Sequence, residues 1–294
     1  MTDLSKEEVL NRRLEHDRPG RDFISVEGSR WGELIQPSVA ESSARNGTGM
    51  RILAVTSFLF GSDVLDAFLD YERANPGASH LVAVATDDAI NADAKIGLKK
   101  RLWKDYSQTE RVAIEVDTVE KGLLAGVPVY TGELKIDWFY RQLQKWNPDA
   151  IVVCVCGQIF SSPIFDFPRF GAYNFHPADL ASGHGAGPQF LEDNIARNDP
   201  WTRWTVHHMT QTVDGGPIVG RSPPILLADT QGQILTDPKR AYEKLRPALH
   251  PMVTTLVAKL GGLFCDDKGG VIESLDFEQY FPEQVRENLR QPVN

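Results

Sequence analysis

The sequence predicts an α/β protein: a mostly parallel sheet with helices on both faces. Two observations carry that prediction. Strand-like and helix-like segments alternate from Arg51 to Cys156. The strands among them are continuous apolar runs, the pattern of strands covered on both faces. At 294 residues, 41% hydrophobic and 24% charged, the chain is long enough to bury a core of that kind.

The elements follow in order. Residues 1–50 read as an N-terminal extension. Within it, Ser5-Lys6-Glu7-Glu8 has the form of a capping box, so a charged helix should follow and end before Pro19-Gly20. Gly28 to Gly49 shows no periodicity and reads as an irregular wrap, with Trp31, Leu34 and Ile35 expected to be buried. Arg51 to Thr56 is the first strand of the regular alternation. Asp63 to Ala74 places Val64, Leu65, Phe68, Leu69 and Tyr71 near helical spacing, and Asn75-Pro76-Gly77 ends that helix. His80 to Thr86 is a strand. A helix runs through Val119 to Leu124, and Val127 to Tyr130 is a short strand. Asp137 to Trp146 is a helix stopped at Asn147-Pro148, and Ala150 to Cys156 is the most apolar strand. Asp237-Pro238 starts a later helix, with proline at its first position. Pro247 and Pro251 should interrupt it, and Val271 to Leu275 has strand character.

Composition excludes several classes of function. The net charge is −9, so a nucleic-acid partner, which draws on clustered positive charge, is not expected. The one basic cluster, Lys99 to Lys104, reads as an exposed helix face balanced by Asp105 and Glu110. Apolar runs such as Ala150 to Cys156 are too short to span a bilayer, and Met1 to Glu15 has no apolar stretch of a secretory signal. No membrane association is expected, and three cysteines suit a reducing, cytoplasmic setting. Cys154-Val155-Cys156 sits in a buried-strand pattern and reads as core packing, so no metal site is expected. The turn Thr56-Ser57-Phe58-Leu59-Phe60-Gly61-Ser62 holds neither a dinucleotide fingerprint nor a phosphate-cradling P-loop.

Ligands of such sheets bind beyond the carboxyl ends of the strands, which places chemistry after residues 56, 86 and 156. The chemically suggestive groups lie between residues 156 and 216. Gly171 to Pro177 reads as a strand on which Asn174 and His176, two apart, project to one face. Arg203 to Met209 reads as another strand containing Thr205-Val206-His207. It leads into Val213-Asp214-Gly215-Gly216-Pro217, where paired glycines allow a tight turn or close approach. Ile218 to Arg221 is a short strand.

Asn174-Phe175-His176-Pro177, Thr205-Val206-His207 and Val213-Asp214-Gly215-Gly216-Pro217-Ile218 together resemble the folate-dependent formyltransferases. The resemblance covers about residues 51–225. It implies a Rossmann-like sheet of the formyltransferase type, with 51–225 as the catalytic domain and 226–294 as a C-terminal extension packed on the core. It implies Asn174, His176 and Asp214 as catalytic residues. It also implies 10-formyltetrahydrofolate as co-substrate, its pterin held by Gln158, Ile159 and Phe160 on one side and by Thr210, Gln211 and Val213 on the other. The residue types suit formyl transfer. An amide donates to the oxyanion, a histidine relays protons, and a carboxylate orients it.

Departures from the family narrow the acceptor. Phe58 and Phe60 stand where the purine enzyme has a glycine-rich phosphate loop, which disfavours a ribonucleotide. Residues 226–294 are too few and too acidic for the basic C-terminal domain of a tRNA formyltransferase. The family serine after His-Pro is Ala178, and the glycine-rich loop Leu180 to Pro188, carrying His184, is a candidate acceptor-side loop. The expected acceptor is therefore a small-molecule amine. Hydroxyornithine, of the siderophore-biosynthesis type, and a nucleotide-linked amino sugar are the leading candidates. A 10-formyltetrahydrofolate hydrolase using water and a non-catalytic folate-binding protein are the alternatives. A homodimer is possible through the C-terminal extension.

Overall fold

The structure is a computed structural model that describes residues 20–43, 45, 47–88, 104–266 and 269–293. The helix expected after Ser5 lies outside the described residues, as does the basic cluster except Lys104. Strands β1 (Asp22–Ser25) and β2 (Glu33–Gln36) pair antiparallel. Five strands then form the parallel centre: β3 (Met50–Thr56), β4 (Ser79–Thr86), β5 (Val129–Thr131), β6 (Ala150–Cys154) and β7 (Ala172–His176). Strand β8 (Trp201–Thr202) pairs with β11 (Ile225–Leu226) in a separate ribbon. Strands β9 (Thr205–His208) and β10 (Ile218–Arg221) complete the main sheet, whose order is β1-β2-β5-β4-β3-β6-β7-β9-β10. The sheet is parallel at its centre, with antiparallel strands at both edges. From β3 the chain steps through β4 to β5 on one side, then crosses to β6 and β7 on the other. The strand order therefore reverses between β3 and β6.

The two faces bury separate apolar clusters. One face carries α2 (Phe58–Ala74), α3 (Gln108–Leu124), α6 (Phe190–Ala196), α7 (Pro238–Leu245) and α8 (Leu249–Cys265), which bury residues such as Val64, Phe68, Val116, Phe190 and Leu256. The other carries α4 (Asp137–Trp146) and the short α5 (Ser162–Phe165), through Phe139, Leu143, Trp146 and Ile164. Apolar residues alternate between the clusters along β6, Ile151 and Val153 to one and Val152 and Cys154 to the other. That is why the strand is apolar throughout. Two further helices, α1 (Val39–Ser43) and α9 (Glu283–Arg290), lie near the ends of the chain.

The structure corrects several expectations. Gly28 to Gly49 is not an irregular wrap. It holds β2 and α1, and β2 adds to the sheet by pairing with β5. Trp31, Leu34 and Ile35 are buried there. The four-residue strand is too short to show a period among its polar neighbours. No loop precedes α2, which begins at Phe58 directly after β3. Helix α3 begins at Gln108, behind a capping box made by Ser107 and Glu110. Pro251 does not break α8 but sits in its first turn, where a missing N–H costs nothing. Val271 to Leu275 forms no strand. It is tied by single bonds, Ile272 N–H to the Tyr173 hydroxyl at 2.9 Å and Leu275 N–H to Val219 O at 2.7 Å. The stretch Pro238–Cys265 is long and apolar enough to cross a membrane, yet more than half of its most apolar window is buried inside the fold.

Candidate active site

A cavity of about 370 Å³ opens beyond the carboxyl ends of β6 and β7. It exists because two chain segments turn away from the sheet there. After β6, Val155 adopts φ 52, which breaks the strand and swings Cys156-Gly157-Gln158-Ile159-Phe160 outward. Cys154 stays buried in the core while Cys156 is half-buried on the cavity wall. The Cys-x-Cys pair is thus split between core and site, not packed in the core as a unit. After β7, Pro177 cannot extend the ladder.

All nine predicted site residues line this one cavity: Asn174, His176, Asp214, Gln158, Ile159, Phe160, Thr210, Gln211 and Val213. Strands and turns bring them together as follows. Asn174 lies directly opposite His207 in the β7–β9 register, and His176 opposite Thr205. The turn between β9 and β10 then carries Asp214 back over β7. Asp214 itself has φ 52, a left-handed conformation that aspartate tolerates better than most residues. At Gly216 a Cβ atom would collide with the His208 carbonyl, so the second glycine is required by close approach.

Asp214 is the hub. Its Oδ2 accepts the Gly187 N–H at 2.8 Å and faces His176 Nδ1 at 3.6 Å. Its Oδ1 accepts from Asn174 Nδ2 at 3.3 Å and faces His207 Nε2 at 3.6 Å. Burial would raise the Asp214 pKa, but His207, His176 and the Gly187 amide pull it down to about 2. Asp214 is ionised at neutral pH.

His176 is buried, and its Nε2 donates to Gly185 O at 2.7 Å. A carbonyl only accepts, so the Nε2 proton is fixed and Nδ1 is the basic nitrogen. Burial pushes the His176 pKa down, against the upward pull of Asp214 and the Gly185 carbonyl. A neutral imidazole thus waits beside an ionised carboxylate, ready to receive a proton at Nδ1.

His207 is the residue that sequence reading left out of the site. It is buried, its Nδ1 donates to His208 O at 2.9 Å, and its Nε2 lies 3.0 Å from Asn174 Nδ2. The signal was present, since strand alternation puts residue 207 across from residue 174 once β7 and β9 pair. Only the pairing itself was invisible. Thr205 acts elsewhere. Its Oγ1 donates to Ala178 O at 2.6 Å and accepts the Leu180 N–H at 3.1 Å. Those two bonds fix the start of the loop after His-Pro.

Three details add to the expected roles. Both Asn174 amide hydrogens already have partners, His207 and Asp214, so the amide is not free as it stands. The Gln158 side chain does not point its amide at a ligand; it accepts from Leu134 N–H at 2.9 Å and donates to Gly132 O at 2.8 Å. It braces the loop after β5 against the loop after β6. His184 lines a second, smaller and polar cavity with Arg197 and Trp201, while Gly187 and Pro188 are the loop residues on the main cavity.

The comparisons with known proteins agree with this geometry. The formyl transferase family profile matches residues 58–247, well over half of the chain, and the chain belongs to that family. The methionyl-tRNA formyltransferase of Agathobacter rectalis is 36% identical over 95 residues, covering 32% of this chain and 30% of that protein. The methionyl-tRNA formyltransferase of Rhodopirellula baltica is 37% identical over 93 residues, covering 31% and 27%. The aligned part thus spans less than a third of either relative. Among solved structures, glycinamide ribonucleotide transformylase 1 from Symbiobacterium toebii superposes with a TM-score of 0.55 at 17% identity, covering 74% of this chain and 90% of that one. It shares the fold.

Proposed function

We propose that this protein moves a formyl group from 10-formyltetrahydrofolate to the amine or hydroxylamine nitrogen of a small metabolite. The observation that carries the reading is the convergence of Asn174, His176 and Asp214 in one cavity of a formyl transferase family member. The donor end suits a flat heterocycle. Phe160 and Met209 wall it, and Ile159 and Val213 stand 61% and 56% exposed at its rim, a costly state for large apolar side chains that a bound ring relieves. Hydroxyornithine and a nucleotide-linked amino sugar are the acceptors to test first.

The residues divide the work as follows. Asn174 turns its weaker hydrogen bond, the 3.3 Å contact to Asp214, toward the oxygen that gains charge when the amine attacks the formyl carbon. His207 holds the other amide hydrogen and so keeps the side chain aimed. His176 Nδ1 takes the proton that the attacking nitrogen loses and returns it to the departing folate nitrogen. Asp214 stabilises the imidazolium that forms between those two transfers. No side chain is acylated.

The test is release of tetrahydrofolate from purified protein supplied with 10-formyltetrahydrofolate and each amine. Amine-dependent release with a formylated product is the expected result. Equal turnover without any amine would instead assign the hydrolase reaction. No release at all would remove the reading.

A further inference from the structure

The main cavity has two walls of different origin. On the donor side, Phe160 and Met209 pack with the apolar cluster of the α4 face. Phe60, Phe175, Phe190 and Tyr242 belong to the cluster of the opposite face. With the folate ring on the first wall, the second is left for the acceptor.

Tyr242 is the polar member of that second wall. It belongs to α7, beyond the catalytic region that the sequence motifs mark, and α7 is fixed at both ends. Asp237 caps it by accepting the Lys239 N–H at 2.9 Å, and Pro238 stands at its first position. Near its other end Lys244 Nζ donates to Gln291 O at 2.7 Å, and Arg246 pairs with Asp63 of α2 at 2.7 Å. The Tyr242 ring is set in turn by edge-on packing on Phe58 and Phe60, with centroids 5.4 and 5.7 Å away, and by Phe190 at 6.1 Å. A ring held by three others is presented with little further ordering cost.

The hydroxyl is less well provided for. Among the described residues, the buried polar side chains on the cavity are His176, His207 and Tyr242. Both histidines are hydrogen-bonded. Tyr242 is only 7% exposed, yet its hydroxyl has no hydrogen-bond partner in the protein and is not sealed from solvent. A buried tyrosine hydroxyl ordinarily finds a partner, and one left unpaired in an apolar wall is destabilising. Burial, with the carboxylates of Glu192 and Asp105 nearby, raises the Tyr242 pKa. The hydroxyl therefore keeps its proton and can donate it.

Resting on the formyl-transfer reading, we infer that Tyr242 fixes the acceptor: its hydroxyl donates a hydrogen bond to an oxygen on the acceptor's body, whose carbon atoms lie against Phe60 and Phe190. The acceptor class is an amine or hydroxylamine that also carries a hydroxyl, carbonyl or carboxylate oxygen, not a plain alkylamine. Tyr242 binds and carries no proton in the reaction.

The experiment places Tyr242→Phe, which removes only the oxygen, in the tetrahydrofolate-release assay with hydroxyornithine and with a nucleotide-linked amino sugar. For the acceptor that the wild type uses, KM should rise about five- to tenfold, the worth of one enclosed hydrogen bond. The kcat, and the KM for 10-formyltetrahydrofolate, should stay within about twofold, because a bond made equally before and during the reaction affects binding alone. The melting temperature should not fall, since no protein partner is lost. An unchanged acceptor KM, or a loss confined to kcat, would overturn the inference and leave formyl transfer standing. A variant that unfolds, or melts well below the wild type, would overturn it too, by showing that the hydroxyl serves the fold. Wild-type protein that forms no formylated product with either amine would remove formyl transfer to these acceptors, and the inference with it.

Discussion

The carboxyl ends of β3 and β4 and those of β6 and β7 lie side by side on one sheet, yet the first pair is sealed and the second open. At the sealed end Ser57, Thr86, Asp87 and Asp88 bond to one another and to the backbone of Phe58 and Gly157. At the open end the chain leaves the sheet at Val155 and Pro177, and the polar groups of Asn174, His176, His207 and Asp214 collect around a gap. The sheet offers both positions as binding sites. Which one becomes a cavity depends on whether the loops satisfy their polar groups internally.

Substitutions should divide accordingly, with rate lost at the open end and stability lost at the sealed end. The greatest change is expected for His176→Ala, which should lower kcat by about 10²–10⁴-fold, the usual worth of a positioned proton carrier, with little change in the melting temperature. An equal loss of folding stability would erase the contrast. At the sealed end, Asp87→Ala leaves the Ser57 hydroxyl and the Gly157 N–H without their acceptor. It should cost about 1–3 kcal/mol in chemical denaturation, a larger stability loss than His176→Ala gives.

The pH profile adds a second contrast. Because burial depresses the His176 pKa below the usual 6.5, Nδ1 stays basic, and kcat/KM should persist, below pH 6.5. Activity then falls as pH drops through the lowered value. An acid limb centred above 6.5 would contradict the buried neutral imidazole. Asp214, with its pKa lowered from 3.8 to about 2, stabilises the fold fully above the unfolded value. That contribution is lost as pH falls through about 2. Acid unfolding of Asp214→Asn should lack this component. The least change belongs to the rim: Ile159→Ala or Val213→Ala should raise KM for the folate donor by the equivalent of about 1 kcal/mol and leave thermal stability unchanged.

Sequence reading succeeds where local chemistry is sufficient. Helix α4 is legible to the residue because Asn147 can take the left-handed C-cap conformation (φ 44) and Pro148 forbids continuation. The site motifs are legible because proline, paired glycines and alternation constrain their own neighbourhoods. Strand β2 is not, because its partner β5 lies far along the chain and its short run carries no period of its own. Helix α2 is expected late because Phe58 and Phe60 carry no start signal; its cap is the remote Asp88 carboxylate. His207 escapes notice as a site residue for the same reason as β2, since its partner is set by strand pairing.

Residues near one another in the chain are enough to specify the parallel α/β core, the face shared by Asn174 and His176, and the turn that presents Asp214. These follow from side-chain periodicity and backbone restriction, which act within a few residues. Three other outcomes come from packing alone: Asp214 bridges two histidines, Gln158 braces a loop, and Asp87 and Asp88 seal the other crevice. They depend on which distant polar groups meet when strands pair and helices pack. Hydrogen bonding between groups far apart in the chain leaves no periodic trace in the sequence.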